Sequence, residues 1–132
     1  MNKTHDLHLL VDTLFESFET GNYELTSTLF AADAEIIQQI GSPKAVNPEQ
    51  FIQILEHGPL SSLGKPVYKD RRVQLISSHR FIEQHITELT IRGKAISFPA
   101  CIIGKVNNDG KIILLEEYLD PTIVIQTLKV SP

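Results

Sequence analysis

The second half of the chain alternates between strand-forming segments and very short turns, and this pattern restricts the possible folds more than any other feature. The predicted strands run from Val67 to Ser77, Arg80 to Ile91, Ala95 to Val106 and Lys111 to Leu119. The turns between them lie near Ser78-His79, at Arg92-Gly93-Lys94 and at Asn107-Asn108-Asp109-Gly110. Connections this short join neighbouring antiparallel strands. The sequence therefore predicts an antiparallel meander.

Helical spacing dominates the first half of the chain instead. Apolar residues recur at helical intervals from Leu7 to Phe18, and Gly21 is placed to end that helix. A shorter helix is predicted from Asn22 or Tyr23 to about Phe30, and a strand from Ala34 to Ile40. The first half therefore adds helices, and one further strand, to the meander.

A third helix is predicted after Asn47-Pro48, because a capping side chain followed by proline is typical of a helix start. Gly58-Pro59 is placed to end it, and Asp120-Pro121 repeats the start signal before a short terminal helix or coil. No repeat or linker interrupts the 132 residues. We therefore expect one α+β domain over residues 1–132, with about three N-terminal helices packed on a sheet.

Composition argues against several classes of function. The formal net charge is −4, with acidic and basic residues mixed along the chain, which disfavours nucleic-acid binding. No segment approaches the roughly 20 apolar residues that a membrane span requires. The single cysteine, Cys101, cannot form an internal disulfide, which fits a reducing compartment. We expect a soluble cytoplasmic protein that binds neither nucleic acid nor membrane.

Two strands of the meander, Ala95 to Val106 and Ile112 to Leu119, are apolar at both alternating sets of positions. A sheet with one solvated face shows alternation, whereas strands covered on both faces are apolar throughout. One layer of helices covers only one face of the sheet. The sequence therefore predicts a homodimer in which a second copy covers the outer face.

Ionisable residues interrupt the strands and mark a candidate site. Side chains two residues apart point to the same side of a strand, so Glu83 and His85 should be neighbours. Of Glu116 and Glu117, only one can face the helices, and Glu117 is favoured because its same-face neighbours are aliphatic. Burial would raise the pKa of such a carboxyl group, which suits general acid–base catalysis near neutral pH. The alternative is a structural Glu–His pair that only satisfies buried polar groups.

Sequence patterns for other chemistries are missing. The chain has no HExxH, no pair of CxxC motifs and no dense acidic loop, so we expect no metal site. It also has no GxSxG, no glycine-rich phosphate loop and no dinucleotide fingerprint. We therefore expect no cofactor and no covalent serine or cysteine catalysis.

The order of elements resembles the SnoaL-like branch of the nuclear transport factor 2-like superfamily over nearly the whole chain. The local resemblance lies in Gly21-Asn22-Tyr23, residues 29–34, Phe81 to His85, Pro99-Ala100-Cys101 and the Glu-Tyr-Leu-Asp-Pro of residues 117–121. It implies a cone in which a strongly curved antiparallel or mixed sheet wraps the helices and encloses small, mostly hydrophobic ligands. Members include ketosteroid isomerases, polyketide cyclases, epoxide hydrolases, dehydratases and many proteins without known activity.

The resemblance also suggests where the site residues lie. In the epoxide hydrolase relatives, an Arg-x-Asp pair on a middle strand works with an Asp on the last strand. Those places look like Glu83, His85 and Glu117 here, but the arginine is missing, which argues against epoxide opening by that arrangement. The substrate-binding residues expected to line the cavity are Phe81, Tyr23, Leu115, Leu119 and Phe98.

Two functions of different classes stay open. The first is an enzyme that isomerises, cyclises, hydrates or dehydrates a small hydrophobic carbonyl compound. Glu117 would be its base, His85 the proton partner or electrophile, and Glu83 the group that orients the imidazole. The second is a non-catalytic module that binds a ligand in the cone or a protein partner on the sheet. Fold alone does not choose between them.

Overall fold

Four helices and six strands make up the part of the chain that the computed structural model describes, residues 3–38, 44–58, 61 and 64–129. The helices are α1 (Lys3–Thr20), α2 (Tyr23–Thr28), α3 (Pro48–His57) and α4 (Thr122–Lys129). The strands are β1 (Phe30–Gln38), β2 (Lys44–Val46), β3 (Val67–Ser77), β4 (Arg80–Ile91), β5 (Lys94–Val106) and β6 (Ile112–Leu119). No helix in these ranges is long and apolar enough to cross a membrane.

The described strands form one mixed sheet in the order β2-β1-β6-β5-β4-β3. β1 runs parallel to β6, and all the other neighbouring pairs are antiparallel. The predicted meander corresponds to β3 to β6, and β3 and β4 have the predicted bounds. Helices packed on a curved mixed sheet confirm the predicted α+β cone.

The prediction and the structure differ in the segment that precedes α3. β1 begins at Phe30, where Ala34 was expected, and α2 ends earlier, at Thr28. Phe30 is buried and pairs with Ile112 of β6, so tertiary pairing decides this boundary. β2 was not predicted, since its 3 residues are too few to show an alternating pattern. The predicted end of the first strand at Ile40, like Pro59 after α3, lies outside the described residues.

Turn and cap residues set the helix bounds that the sequence indicated. Gly21 ends α1 with a φ of 68°, in the left-handed region that favours glycine. At the start of α3, the Asn47 side chain accepts from the Gln50 backbone N–H, and the Gln50 side chain accepts from the Asn47 backbone N–H. Asp120 accepts from the backbone N–H of Thr122 at 3.0 Å and so starts α4.

Two apolar clusters lie on the sheet face that packs against the helices, which we call the inner face. The first cluster joins α1 and α3 to the sheet, and its members include Val11, Leu14, Phe15, Phe51, Phe81, Ile102 and Leu115. The second cluster joins α4 to the other end of the long strands, and its members include Ile91, Ile96, Phe98 and Val124. Along β4, the candidate site lies between these clusters.

Candidate active site

Three inward side chains of β4 form a buried hydrogen-bonded row, which we call the polar layer: Glu83, His85 and Thr87. Their exposed fractions are 0%, 3% and 7%. The His85 ring contacts Glu83 Oε1 through Nδ1 at 2.6 Å and Thr87 Oγ1 through Nε2 at 2.9 Å. The structure thus brings Glu83 and His85 together, with each ring nitrogen engaged by a neighbour on the same strand.

Arg71 of β3 completes this layer, although the sequence analysis did not select it. Its Nε donates to Glu83 Oε2 at 3.0 Å, and its Nη1 donates to Asp12 Oδ1 of α1 at 3.1 Å. The guanidinium also lies 4.7 Å from the centre of the Phe15 ring. A cation therefore stands beside Glu83 after all, although it comes from the neighbouring strand and not from β4.

A β-bulge explains why Arg71 was missed. Lys69 pairs with Ile86 and Arg72 pairs with Gln84, so Asp70 and Arg71 together lie opposite His85. Asp70 has a φ of 55°, and the extra residue turns Arg71 towards the inner face. The signal that could have revealed the bulge is the spacing of two apolar residues, Tyr68 and Val73. Both are partly buried on the inner face, but they are an odd number of positions apart, whereas same-face residues in a regular strand are an even number apart.

The contacts of Glu83 determine which nitrogen of His85 carries a proton. A carboxylate that accepts from a guanidinium is ionised, and an ionised carboxylate can only accept hydrogen bonds. The Nδ1 of His85 must therefore donate to Glu83. In the neutral ring, Nε2 then accepts from the Thr87 hydroxyl, because only one nitrogen of a neutral imidazole carries a proton.

Glu117 lies on the same inner face, two strands away from Glu83. Both residues pair with Ile102, one from β4 and the other from β6. The Gln38 amide donates to Glu117 Oε1 at 2.9 Å, and the side chain keeps partial access to solvent. Burial raises the pKa of Glu117, and so does the charge of Glu83, while the Gln38 hydrogen bond and His85 oppose the rise.

The hydrogen bonds of Glu117 and His85 go to other groups among the described residues, and none joins the two side chains directly. Glu117 is bonded to Gln38, whereas both nitrogens of His85 are bonded within the polar layer. The predicted trio lies on one face of the sheet, with only Glu83 and His85 hydrogen-bonded to each other.

Tyr68 is a further polar group at the site; a tyrosine in a sheet most often packs through its ring, although its hydroxyl can donate to a developing oxyanion at a pocket mouth. Tyr68 pairs with Thr87, and its ring centre lies 4.6 Å from that of His85. Burial raises the pKa of the Tyr68 phenol, and the charges of Glu117, Glu19 and Glu83 add to the rise. The hydroxyl therefore stays protonated, and no described residue accepts a hydrogen bond from it.

The predicted lining residues fall into three groups. Phe81 and Leu115 are buried in the first cluster, where the Phe81 ring packs so closely on Gly104 that a Cβ there would lie 2.1 Å from it. Phe98 and Leu119 belong to the second cluster, beside α4. Tyr23, at the start of α2, is partly exposed and interacts with Tyr68 through charge. The first pair therefore forms a packed floor beneath the polar layer.

The described residues offer no obvious site for a metal ion. Within residues 6–38, 44–58 and 64–129, no three His, Cys, Asp or Glu side chains converge in a way that could hold one.

Solved structures of other proteins show the same architecture. A candidate polyketide cyclase from Xanthomonas campestris superposes with a TM-score of 0.82 at 16% identity, covering 97% of this chain and 100% of that chain. An NTF2-like protein of unknown function from Burkholderia pseudomallei superposes with a TM-score of 0.79 at 13% identity, covering 95% and 98%. The chain has the nuclear transport factor 2-like fold. The predicted fold is therefore confirmed.

Another similar solved structure is named as an enzyme. An LEH-like epoxide hydrolase from M. tuberculosis superposes with a TM-score of 0.74 at 14% identity, covering 94% of this chain and 90% of that chain. No family model matches the sequence, and no curated protein matches it either. At these identities the likeness concerns the fold, so function has to be argued from the site.

Proposed function

We propose that the protein is a SnoaL-like enzyme that performs acid–base chemistry on a small hydrophobic carbonyl compound. The reaction would be an isomerisation, a cyclisation, or a hydration or dehydration. The observation that carries this proposal is Glu117, a partly accessible carboxylate of raised pKa that only an amide hydrogen-bonds, facing a buried His–Glu pair. Structural neighbours described as a candidate polyketide cyclase and an epoxide hydrolase support chemistry of this kind.

The roles follow from what each group can donate or accept. Glu117 removes a proton next to the substrate carbonyl, because a base with a raised pKa is better matched to work near neutral pH. Negative charge then develops on the carbonyl oxygen and needs a hydrogen-bond donor. Tyr68 supplies a protonated hydroxyl as that donor, while the unprotonated Nε2 of His85, oriented by Glu83, can accept a proton once the Thr87 hydroxyl releases it.

The test combines a ligand search with a matched pair of variants. Hydrophobic ketones, enones and quinones are screened by thermal shift, since a ligand that binds only the folded state raises its stability. Turnover of each hit is then compared between E117Q and E116Q. Glu116 is the adjacent carboxylate on the outer face, bonded to the Tyr118 hydroxyl. We expect E117Q to reduce kcat by about 10²–10⁴-fold and E116Q to leave it unchanged; equal rates in both variants would reject the proposed base.

One observation favours the second candidate, a non-catalytic binding module. Phe81 and Leu115 fill the floor of the cone, and both nitrogens of His85 are already hydrogen-bonded. In that case E117Q would weaken ligand binding, and the wild-type protein would convert none of the compounds that it binds.

We also infer that the protein acts as a homodimer in the cytoplasm. The thiol of Cys101 is free and half-buried on the outer face, which fits a reducing compartment. The same face carries partly buried apolar side chains, and a second copy of the chain would cover them.

A further inference from the structure

We propose that Arg71 is a positioning residue of this site: its charge keeps Glu83 ionised, and the ionised Glu83 fixes His85 with the proton on Nδ1. The catalytic use of this arrangement rests on the proposed function. The protonation pattern itself does not, so the two can be tested separately.

The first support is the division of the Glu83 carboxylate between two partners. Its Oε2 accepts from Arg71 at 3.0 Å, and its Oε1 contacts His85 at 2.6 Å. Glu83 has no exposed surface, so solvent does not stabilise its charge. Arg71 is the described cation within ion-pair distance of Glu83, apart from the His85 ring itself. Without Arg71, the charge would have to be balanced by a proton on His85 or on Glu83.

The second support is that two energetically unfavourable features accompany the position of Arg71. Asp70 takes a left-handed backbone conformation, which is strained for a residue other than glycine. In addition, Arg71 Nη2 is buried without a hydrogen-bond partner among the described residues. Replacing a buried ion pair by well-packed apolar residues often leaves the stability of a protein unchanged or increases it. The buried position of Arg71 is therefore explained better by the effect of its charge on the protonation of Glu83 and His85 than by a gain in stability.

The consequence for the ring is specific. With Arg71 present, Nδ1 donates to Glu83 and the Nε2 lone pair faces Thr87. Without that cation, the neighbouring charges that His85 meets are Glu83 on its own strand and Glu117 on β6, and both favour an added proton. If the ring takes up the proton, Nε2 is protonated in the imidazolium. If Glu83 takes it up and donates to Nδ1, the neutral ring carries its proton on Nε2. Both routes convert Nε2 from an acceptor into a donor.

Nitrogen-resolved NMR of the His85 ring tests this, at about pH 8, where an ordinary imidazole is neutral. The His85 signals are assigned by their absence from H85Q. We expect the wild type to show a protonated Nδ1 and an unprotonated Nε2. R71M and R71Q, which lack the charge, should show a protonated Nε2. R71K, which restores a positive charge, should return Nε2 to its wild-type state even if its melting temperature is lower.

D12N is the matched control, because it removes the other partner of Arg71 and leaves the Glu83 contact in place. It should keep the wild-type ring signals. If Nε2 stays unprotonated in R71M or R71Q, Arg71 has only a structural role. If the wild-type ring is protonated on Nε2, the proposal is overturned outright. If R71M does not fold, the comparison of R71Q with R71K decides. None of these results depends on turnover, so a failure here is distinguishable from an inactive E117Q.

Discussion

At the scale of single residues, the carboxyl group of Glu117 influences stability as well as chemistry. Its pKa in the folded protein is raised from an ordinary value of 4.5, first by burial, so folding favours its protonated form. A carboxyl group of this kind contributes most to stability below its unfolded pKa. That contribution is lost as the pH rises through the folded pKa. The charged form of Glu117 therefore opposes folding.

This direction of the pH dependence gives a prediction for E117Q. Substitution of a buried residue usually destabilises a protein, whereas E117Q should gain stability relative to wild type as the pH rises. The free energy of unfolding of E117Q, relative to wild type, should increase as the pH is raised from about 4 to about 8, because glutamine never carries the charge. Urea denaturation across this range measures it. E116Q should show no such increase, and a loss of stability in E117Q at about pH 8 would mean that the charged Glu117 is held by favourable contacts instead.

At the scale of elements, the bulge in β3 determines which side chains reach the polar layer. A regular strand would place Asp70 and Arg72 on the same face as Tyr68. The extra residue instead puts Arg71 there and brings Val73 and Leu75 back onto the first cluster. The bulge is therefore a precondition for the contact between Arg71 and Glu83.

Substitution at Asp70 tests the bulge directly. D70V should lower the free energy of unfolding by about 1–3 kcal/mol, because a β-branched residue is strongly disfavoured at positive φ. D70G should be neutral or stabilising, since glycine adopts this conformation without strain. R72V is the control, with the same new side chain at a position where φ is not positive. Equal losses in D70V and R72V would show that the conformation of Asp70 carries no strain.

The elements also show how far the sequence could predict this fold and site. β3 and β4 were predicted with their bounds because alternation and tight turns are local signals, and Glu83 and His85 were paired by the same period of two. β2 and the early start of β1 depend on pairing between distant segments. Arg71 depends on a bulge that reverses the alternation within a strand. Local patterns carry little information about either of these features.

At the scale of the whole molecule, the outer face of the sheet is unlike an ordinary solvated surface. Ile103 of β5 lies between Ile82 and Glu116, and all three are only partly exposed. Beside them is a groove of about 910 Å³ with a mixed lining, in which Ile86 and Pro99 lie among polar and charged residues such as Gln84 and Arg72. Apolar side chains exposed on such a face, like Ile82 and Ile103, are typical of contact sites in soluble proteins. The homodimer predicted from the sequence would bury these side chains.

Sedimentation of the wild type and of I103K tests the dimer. We expect the wild type to sediment as a dimer at micromolar concentration and I103K as a monomer, because burying an ammonium group in the interface costs desolvation free energy even with Glu116 beside it. L9K is the control, since Leu9 is exposed on α1, away from the outer face. A wild type that sediments as a monomer at this concentration contradicts the prediction.

Two hydrogen bonds at the site connect segments far apart along the chain. Gln38 and Glu117 are separated by 79 positions, and Asp12 and Arg71 by 59. Such contacts form only after the intervening chain has been brought together, which makes them slow and entropically demanding to establish. A nascent or partly unfolded chain therefore holds the acid–base groups without their orientation. Reactivity would be confined to molecules that have completed folding.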